Sequence, residues 1–301
     1  MRGVSSAPDF REASADGVVV LDGGLATLLE ARGHDLSSIL WSARLLTDDP
    51  QAIADAHGEF FDAGAQVATT ASYQASFDGF ATLGLDTAEA ADLMRLSVTL
   101  ARRARDEHRP DGWVAASVGP YGAYLADGSE YRGDYDVDVG GLRAFHRPRI
   151  DVLGRAGADV LAVETVPCLS EVEALCAELE GTGLTAWLSL SVDGNRTRAG
   201  EPLAEAWAMA ADVGEIVAIG VNCCVPEDVT EALAGVDGPL VAYPNSGQGW
   251  DAVRRTWTGE SAFDARAVTS WMTAGARLVG GCCRVGPADI MAVAAAVTAR
   301  A

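Results

Sequence analysis

Apolar residues in this chain gather in short runs bounded by glycine, proline and acidic residues. Eight of these runs have strand length: 18–22, 66–73, 113–119, 159–165, 185–192, 216–223, 240–245 and 277–283. Most are rich in Val, Ile, Leu and Ala without clean alternation, the pattern of strands covered on both faces in a parallel sheet. Between them, apolar residues recur at three- and four-residue spacing and predict helices. Asp49-Pro50 opens one that runs through Ile53, Ala56 and Phe60 and stops near Gly64. Thr87-Ala88-Glu89 opens a second through Leu93, Leu96 and Leu100, and Ser170 with Glu173 forms a capping box for a third through Val172, Leu175 and Leu179. Further helices are expected over 142–156, 201–213, 226–233, 264–274 and 287–298.

Three strands share one entry, Ala63-Gly64-Ala65, Ala156-Gly157-Ala158 and Ala274-Gly275-Ala276, where glycine can end a helix and small neighbours let the chain turn into the strand. Regular alternation of strand and helix, with no Pro/Ser-rich linker, predicts a single (β/α)8 TIM barrel over 17–301 rather than a doubly wound sheet. Residues 1–16 carry no apolar h-region and read as a polar, mobile tail. No segment reaches the roughly 18 uninterrupted apolar residues of a membrane span, so the chain reads as cytoplasmic.

Barrel enzymes carry their chemistry at the C-terminal ends of the strands, and here those ends are the polar ones. They read Asp22-Gly23-Gly24, Thr69-Thr70-Ala71-Ser72-Tyr73, Gly119-Pro120-Tyr121, Glu164-Thr165, Asn222-Cys223-Cys224, Pro244-Asn245-Ser246 and Gly281-Cys282-Cys283. The strand starts hold no comparable cluster.

Composition narrows the chemistry. All 22 basic residues are arginine, which removes Schiff-base formation, covalent pyridoxal attachment and the phosphate-loop lysine. The four histidines, His34, His57, His108 and His146, have no metal-ligand spacing among them. A net charge of −21 repels nucleic acid and anionic membranes and leaves small molecules, cations among them, as partners. In a reducing compartment, six cysteines suggest a metal or catalysis before disulfides.

Cys176 falls within an apolar helix pattern and reads as core, and Cys168 as an inert loop residue. Cys223 and the Cys282-Cys283 pair end two strands that barrel closure brings to one rim, where three thiolates suit zinc. Alternation sends neighbouring strand residues to opposite faces, so Cys282 and Cys283 can both ligate only if the strand stops there. By the same parity only one of Cys223 and Cys224 faces the rim, and spacing leaves the two tied. Three cysteinates leave Zn²⁺ one open position and a formal site charge of −1, suited to activating an incoming small thiol. The electrophile is then an activated carbon. An onium methyl donor suits the acidic protein and the aromatics Trp41, Tyr73 and Tyr121, which could hold a cation over their rings. Asp22 and Glu164 are candidates for an amino-acid ammonium.

The segments Leu21-Asp22-Gly23-Gly24, Ala71-Ser72-Tyr73-Gln74, Gly220-Val221-Asn222-Cys223, Tyr243-Pro244-Asn245-Ser246-Gly247 and Gly280-Gly281-Cys282-Cys283-Arg284 together resemble the zinc-dependent homocysteine S-methyltransferases. The stretch SVGPYGAYLADGSEYRGDY at 117–135 and His146-Arg147-Pro148-Arg149 are most similar to the bacterial enzymes that use S-methylmethionine. The resemblance covers about 18–295, nearly the whole chain. It implies a barrel with one Zn²⁺ on Cys223, Cys282 and Cys283, which breaks the tie with Cys224, and homocysteine as methyl acceptor and fourth ligand. It also implies substrate-binding positions at Asp22 and Glu164. Ser72, Tyr73, Asn222 and Asn245 lie in matching motifs and stand as candidate substrate contacts with Trp41 and Tyr121. Cys168 and Cys224 depart from the commoner family pattern. The 117–135 stretch is expected to be a long loop over the donor. The expected reaction is methyl transfer from S-methylmethionine, or secondarily S-adenosylmethionine, to homocysteine. The alternatives are a related thiol methyltransferase using betaine or a corrinoid protein, and a non-catalytic zinc-stabilised binding module.

Overall fold

The computed structural model describes residues 8–36, 41–251 and 256–300, and the side chains at 41, 250, 251, 256 and 257 lie outside that description. Eight parallel strands succeed one another around a barrel. They are β1 (Val19–Val20), β2 (Val67–Thr69), β3 (Trp113–Val118), β4 (Val160–Val166), β5 (Ala186–Leu190), β6 (Ile216–Asn222), β7 (Leu240–Tyr243) and β8 (Ala276–Val279). Each pairs with its successor from β2 to β8, and β8 pairs back onto β1 with Val19 opposite Leu278. The expected barrel is therefore the observed one, with every strand found.

The seam between β1 and β2 is closed by other means. Gln66 N donates to Val20 O at 2.7 Å and Val20 N donates to Gln66 Oε1 at 2.9 Å. Above them the Asp22 carboxylate accepts from Thr69 N at 2.7 Å and Thr69 Oγ1 at 2.8 Å, standing in for ladder bonds that two such short strands do not make.

Strand parity divides the core. Val19, Leu21, Val67, Trp113, Ala115, Val160, Ala162, Trp187, Ala218, Val241, Tyr243 and Leu278 pack together inside the barrel. The alternate residues Val20, Ala68, Val114, Leu161, Leu188, Val221, Ala242 and Val279 join the layer between strands and helices. Gly64, Gly157 and Gly275 adopt φ of 104°, 89° and 109°, so each Ala-Gly-Ala entry ends its helix on a left-handed residue that only glycine adopts cheaply.

The N-terminal segment differs from the expected mobile tail. Phe10–Asp16 is a helix, capped by Asp9, whose carboxylate accepts from the backbone N–H groups of Arg11 and Glu12. Phe10 enters the bottom of the barrel, its ring 5.7 Å from that of Trp113 and 6.0 Å from that of Trp187. Trp113 Nε1 donates to Pro8 O and Arg11 to Gly214 O, fixing the plug from two sides. One buried phenyl ring stabilises by about 2–3 kcal/mol. The helix is too short for a periodic signal, which is why pattern reading passes over it. Residues 1–7 lie outside the described residues.

Among the expected helices, Pro50–Asp62 starts on Asp49 and Pro287–Thr298 keeps its expected bounds. Thr87–His108 starts at the expected Thr87, on an Asp86–Glu89 capping box. The expected Ser170–Glu173 box does not form, because Leu169–Leu179 starts at Cys168 and Leu169 N is satisfied by Glu201 Oε2 at 2.8 Å, a partner distant in sequence. Among the described residues no helix is long and apolar enough to cross a membrane.

Candidate metal centre

The last residues of β6 and the segment following β8 bring three thiols together. Cys223, Cys282 and Cys283 hold their sulfurs within 4.8 Å of one another. Sγ of Cys223 is 3.7 Å from Sγ of Cys283, which is 4.0 Å from that of Cys282. A Zn–S bond of about 2.3 Å in a tetrahedron sets sulfurs about 3.8 Å apart, so the three thiols fit a Zn²⁺ ion with little movement.

Local backbone produces this arrangement. Inside β6 the even-numbered residues point inward, so unbroken alternation would turn Cys224 to the rim and Cys223 away. Instead Cys223 adopts φ 50°, a left-handed residue that ends the strand and reverses the order. Its carbonyl accepts from Asn245 Nδ2 at 3.1 Å, and Asn245 Oδ1 accepts from Gly247 N at 2.8 Å. Cys224 is buried in the outer core, where burial raises its thiol pKa.

β8 ends at Val279, four residues before Cys283. Gly280 and Gly281 run close beside β1 and β7; a Cβ at Gly281 would lie 2.1 Å from Val285 Cγ1, and one at Gly280 2.7 Å from Leu21 Cβ. Gly281 N donates to Asp22 O, Cys282 N to Pro244 O and Val285 N to Cys282 O, so a tight turn presents both sulfurs. The expected stop in the strand is what allows neighbouring cysteines to share one site.

The thiols are electrostatically coupled. Cys282 and Cys283 stabilise a thiolate on Cys223 and hold its pKa well below the thiol range, while their own are pushed well above it. Cys168 and Cys176 are buried and both are raised to about 11, in keeping with inert thiols.

Around the sulfurs the inner face of the barrel turns polar. Glu164 accepts from Ser117 Oγ through one oxygen and from Tyr243 OH at 3.0 Å through the other. Tyr243 OH is in turn bonded to Ser189 Oγ at 2.7 Å and Trp187 Nε1 at 3.0 Å. Burial raises the pKa of Glu164 to about 7, and burial raises that of Asp22 to about 7 against the opposing bonds from Thr69.

The remaining candidates divide. Tyr73 is half-buried, with Gly119 packed against its ring, and its hydroxyl pKa is raised by burial and by Glu130 and Cys223. Ser72 is buried and donates to Ser117 O at 2.7 Å. Asn222 commits both ends of its amide to Thr165, accepting from its N at 2.8 Å and donating to its Oγ1 at 2.7 Å. Ser72 and Asn222 thus brace the rim. The Tyr121 ring packs among Tyr124, Tyr135 and Phe145 rather than at the thiols. The side chain of Trp41 lies outside the described residues.

One neighbour went unselected in the sequence. Tyr131 OH stands 3.4 Å from Cys223 Sγ, carried by the 117–135 stretch. That stretch is not a plain loop: it holds the helix Tyr121–Leu125 and a 3-10 turn at Ser129–Tyr131. Its conspicuous family-like sequence was the available signal, but nothing in it distinguishes Tyr131 from Tyr121, Tyr124 or Tyr135.

Three thiols gathered at one rim of a (β/α)8 barrel form a group that could hold a metal ion. The family model for homocysteine S-methyltransferase matches residues 19–297. The chain is 47% identical over 293 residues to homocysteine S-methyltransferase of Escherichia coli (strain K12), covering 92% of this chain and 94% of that protein. It is 44% identical over 295 residues to homocysteine S-methyltransferase YbgG of Bacillus subtilis (strain 168), covering 92% and 94%. The metallated form of the E. coli homocysteine methyltransferase MmuM superposes with a TM-score of 0.84 at 46% identity, covering 93% of this chain and 96% of that one. The chain belongs to the homocysteine S-methyltransferase family.

Proposed function

We propose that this enzyme transfers a methyl group from a sulfonium donor, S-methylmethionine in first place and S-adenosylmethionine in second, to the sulfur of homocysteine, giving methionine. The observation that carries the reading is the triangle of Cys223, Cys282 and Cys283, with no fourth His, Cys, Asp or Glu grouped with them among the described residues. When bound, Zn²⁺ supplies the Lewis acidity that keeps an added thiol ionised at neutral pH.

The protein's own residues then have definable tasks. Asp22 and Glu164 present buried carboxylates to the ammonium of homocysteine, whose positive charge favours their ionised forms. Ser117 and Tyr243 fix the orientation of Glu164. Tyr73, with Trp41 as a further candidate, offers a π face to the onium donor. The acceptor sulfur forms its bond to the methyl carbon as the donor C–S bond breaks. The donor leaves as a neutral thioether, and the acceptor's thiol proton is released to solvent. Loss of the donor's positive charge at the transition state is assisted by a dry, weakly screened site.

The test is an assay of the zinc-loaded protein with homocysteine and S-methylmethionine, run beside S-adenosylmethionine and betaine. Methionine from the first donor above the others supports the proposal. Turnover with betaine alone would replace the donor, and no methionine from any donor would remove the reading.

A further inference from the structure

Two charged side chains of opposite sign flank Tyr131, and each has a buried polar atom without a partner. Glu130 Oε2 and Arg198 Nε are both shielded from solvent and unbonded. Such atoms are costly, and most native proteins satisfy them. Arg198 places Cζ 5.9 Å from the centre of the Tyr131 ring, and its charge also acts on Asp228 and Cys224. Among the described residues neither forms a salt bridge with the other, and the charges nearest each, Arg132 for Glu130 and Asp228 for Arg198, act on it without a direct ion pair.

Both residues are held firmly. The Glu130 carbonyl accepts from Ser191 Oγ at 3.1 Å, just past the end of β5. A Cβ on Gly122 would come within 2.4 Å of Glu130 N, so the 3-10 turn lies tightly on the preceding helix. Arg198 follows the hairpin formed by Val192–Asp193 and Arg196–Thr197. Next to it, Ala199 N donates to Pro167 O, and Ala199 packs against Gly133. The loop after β3 and the hairpin after β5 therefore meet at Tyr131, whose hydroxyl reaches the Cys223 sulfur.

We infer that Glu130 and Arg198 form a head-group subsite for an α-amino acid, Glu130 taking the α-ammonium and Arg198 the α-carboxylate of the methyl donor. The inference rests on the proposed methyl transfer from a sulfonium amino acid. A zwitterion satisfies two unpaired charges of opposite sign at once, whereas an anion or a cation alone leaves one of them without a partner. A guanidinium presents two parallel N–H groups to a carboxylate, and in a chain without lysine that fork is the available geometry. Burial raises the Glu130 pKa to about 7, with Arg132 offsetting only part of the shift. The acceptor's ammonium is assigned to Asp22 and Glu164 inside the barrel, which leaves the loop-borne pair to the donor.

The experiment compares zinc-loaded wild type, Arg198→Met, Arg198→Lys and Glu130→Gln on three donors. These are S-methylmethionine, dimethyl(3-aminopropyl)sulfonium, which lacks the carboxylate, and 4-(dimethylsulfonio)butanoate, which lacks the ammonium. Arg198→Met is expected to reduce the preference for S-methylmethionine over the carboxylate-free donor by roughly 10- to 100-fold in kcat/KM. Arg198→Lys should keep part of that preference, and Glu130→Gln should lose the preference over the ammonium-free donor. The KM for homocysteine should stay within about twofold throughout. Unchanged donor ratios, or a loss that falls on homocysteine instead, overturn the subsite. If wild type turns over no sulfonium, the methyl-transfer reading fails, and calorimetry with L-methionine decides the subsite separately. Methionine binding that weakens in Arg198→Met upholds it, while no binding, or equal binding, overturns it.

Discussion

The hydroxyl of Tyr131 stands 3.4 Å from Sγ of Cys223, joining the loop after β3 to the one cysteine of the three-thiol cluster that follows β6. A donor in that position tunes a metal-bound sulfur without binding the metal itself. Tyr131→Phe keeps the ring and removes this contact. We expect zinc affinity or turnover to fall roughly tenfold or more, measured by chelator competition and by kcat/KM. Wild-type values for both would make Tyr131 a packing residue only.

Cys283 and Cys224 have opposite surroundings. Cys283→Ala should lose both bound zinc and turnover, since two thiolates remain. Cys224→Ala removes a thiol from the outer core and should retain a full complement of zinc at a stability cost of about 1 kcal/mol. Metal analysis and a denaturant melt on each variant separate the two. Full zinc in Cys283→Ala would displace the ligand assignment.

Asp22 and Glu164 share an environment that raises each carboxyl pKa to about 7, from ordinary values of 3.8 and 4.5. The folded protein therefore holds more protons than the unfolded chain between about pH 4 and 7, and these groups make the metal-free protein less stable as pH rises through that window. Substrate binding has the opposite preference, because an ammonium needs ionised carboxylates. We expect kcat/KM to fall as pH drops below about 7, and Glu164→Gln to flatten that limb while lowering the plateau. A pH–rate profile identical in wild type and Glu164→Gln would rule out this assignment.

Glu171 is fully buried and accepts from Tyr121 N at 2.6 Å, Tyr135 OH at 2.5 Å and His146 Nε2 at 2.8 Å. It fastens both ends of the segment that carries Glu130 and Tyr131. Burial lowers the pKa of His146, whose Nε2 faces the Glu171 carboxylate. Glu171→Gln places an amide N–H₂ where three donors converge, and should cost about 2–3 kcal/mol. The same variant should raise the donor KM while zinc content stays constant. Urea titration and donor kinetics test the two halves of this prediction.

Much of the fold was legible along the chain. Eight apolar runs, the Ala-Gly-Ala entries and the polar strand ends were enough for a barrel and for the rim that carries its site. Those signals are local, since a buried parallel strand needs apolar residues on both faces and a helix stop needs a residue tolerant of positive φ. Signals carried by partners distant in sequence were not legible. The Phe10 plug depends on a cavity lined by Trp113 and Trp187, and the start of the helix at Leu169 depends on Glu201.

The cysteines show the division most sharply. Residue type and strand-end position alone pointed to a three-thiol cluster at the ends of β6 and β8, where the structure gathers three sulfurs that could hold a metal ion. Whether Cys223 or Cys224 served it stayed tied on spacing, and only the resemblance chose. The structure supplies the physical reason: one left-handed residue at Cys223, braced by Asn245, reverses strand parity and turns its sulfur to the rim. Likewise Tyr121 and Tyr131 are the same residue type in the same stretch, yet one packs among aromatics and the other meets the thiols. Local sequence fixes periodicity and punctuation, but the direction of a side chain at the end of a strand is set by which neighbours close around it.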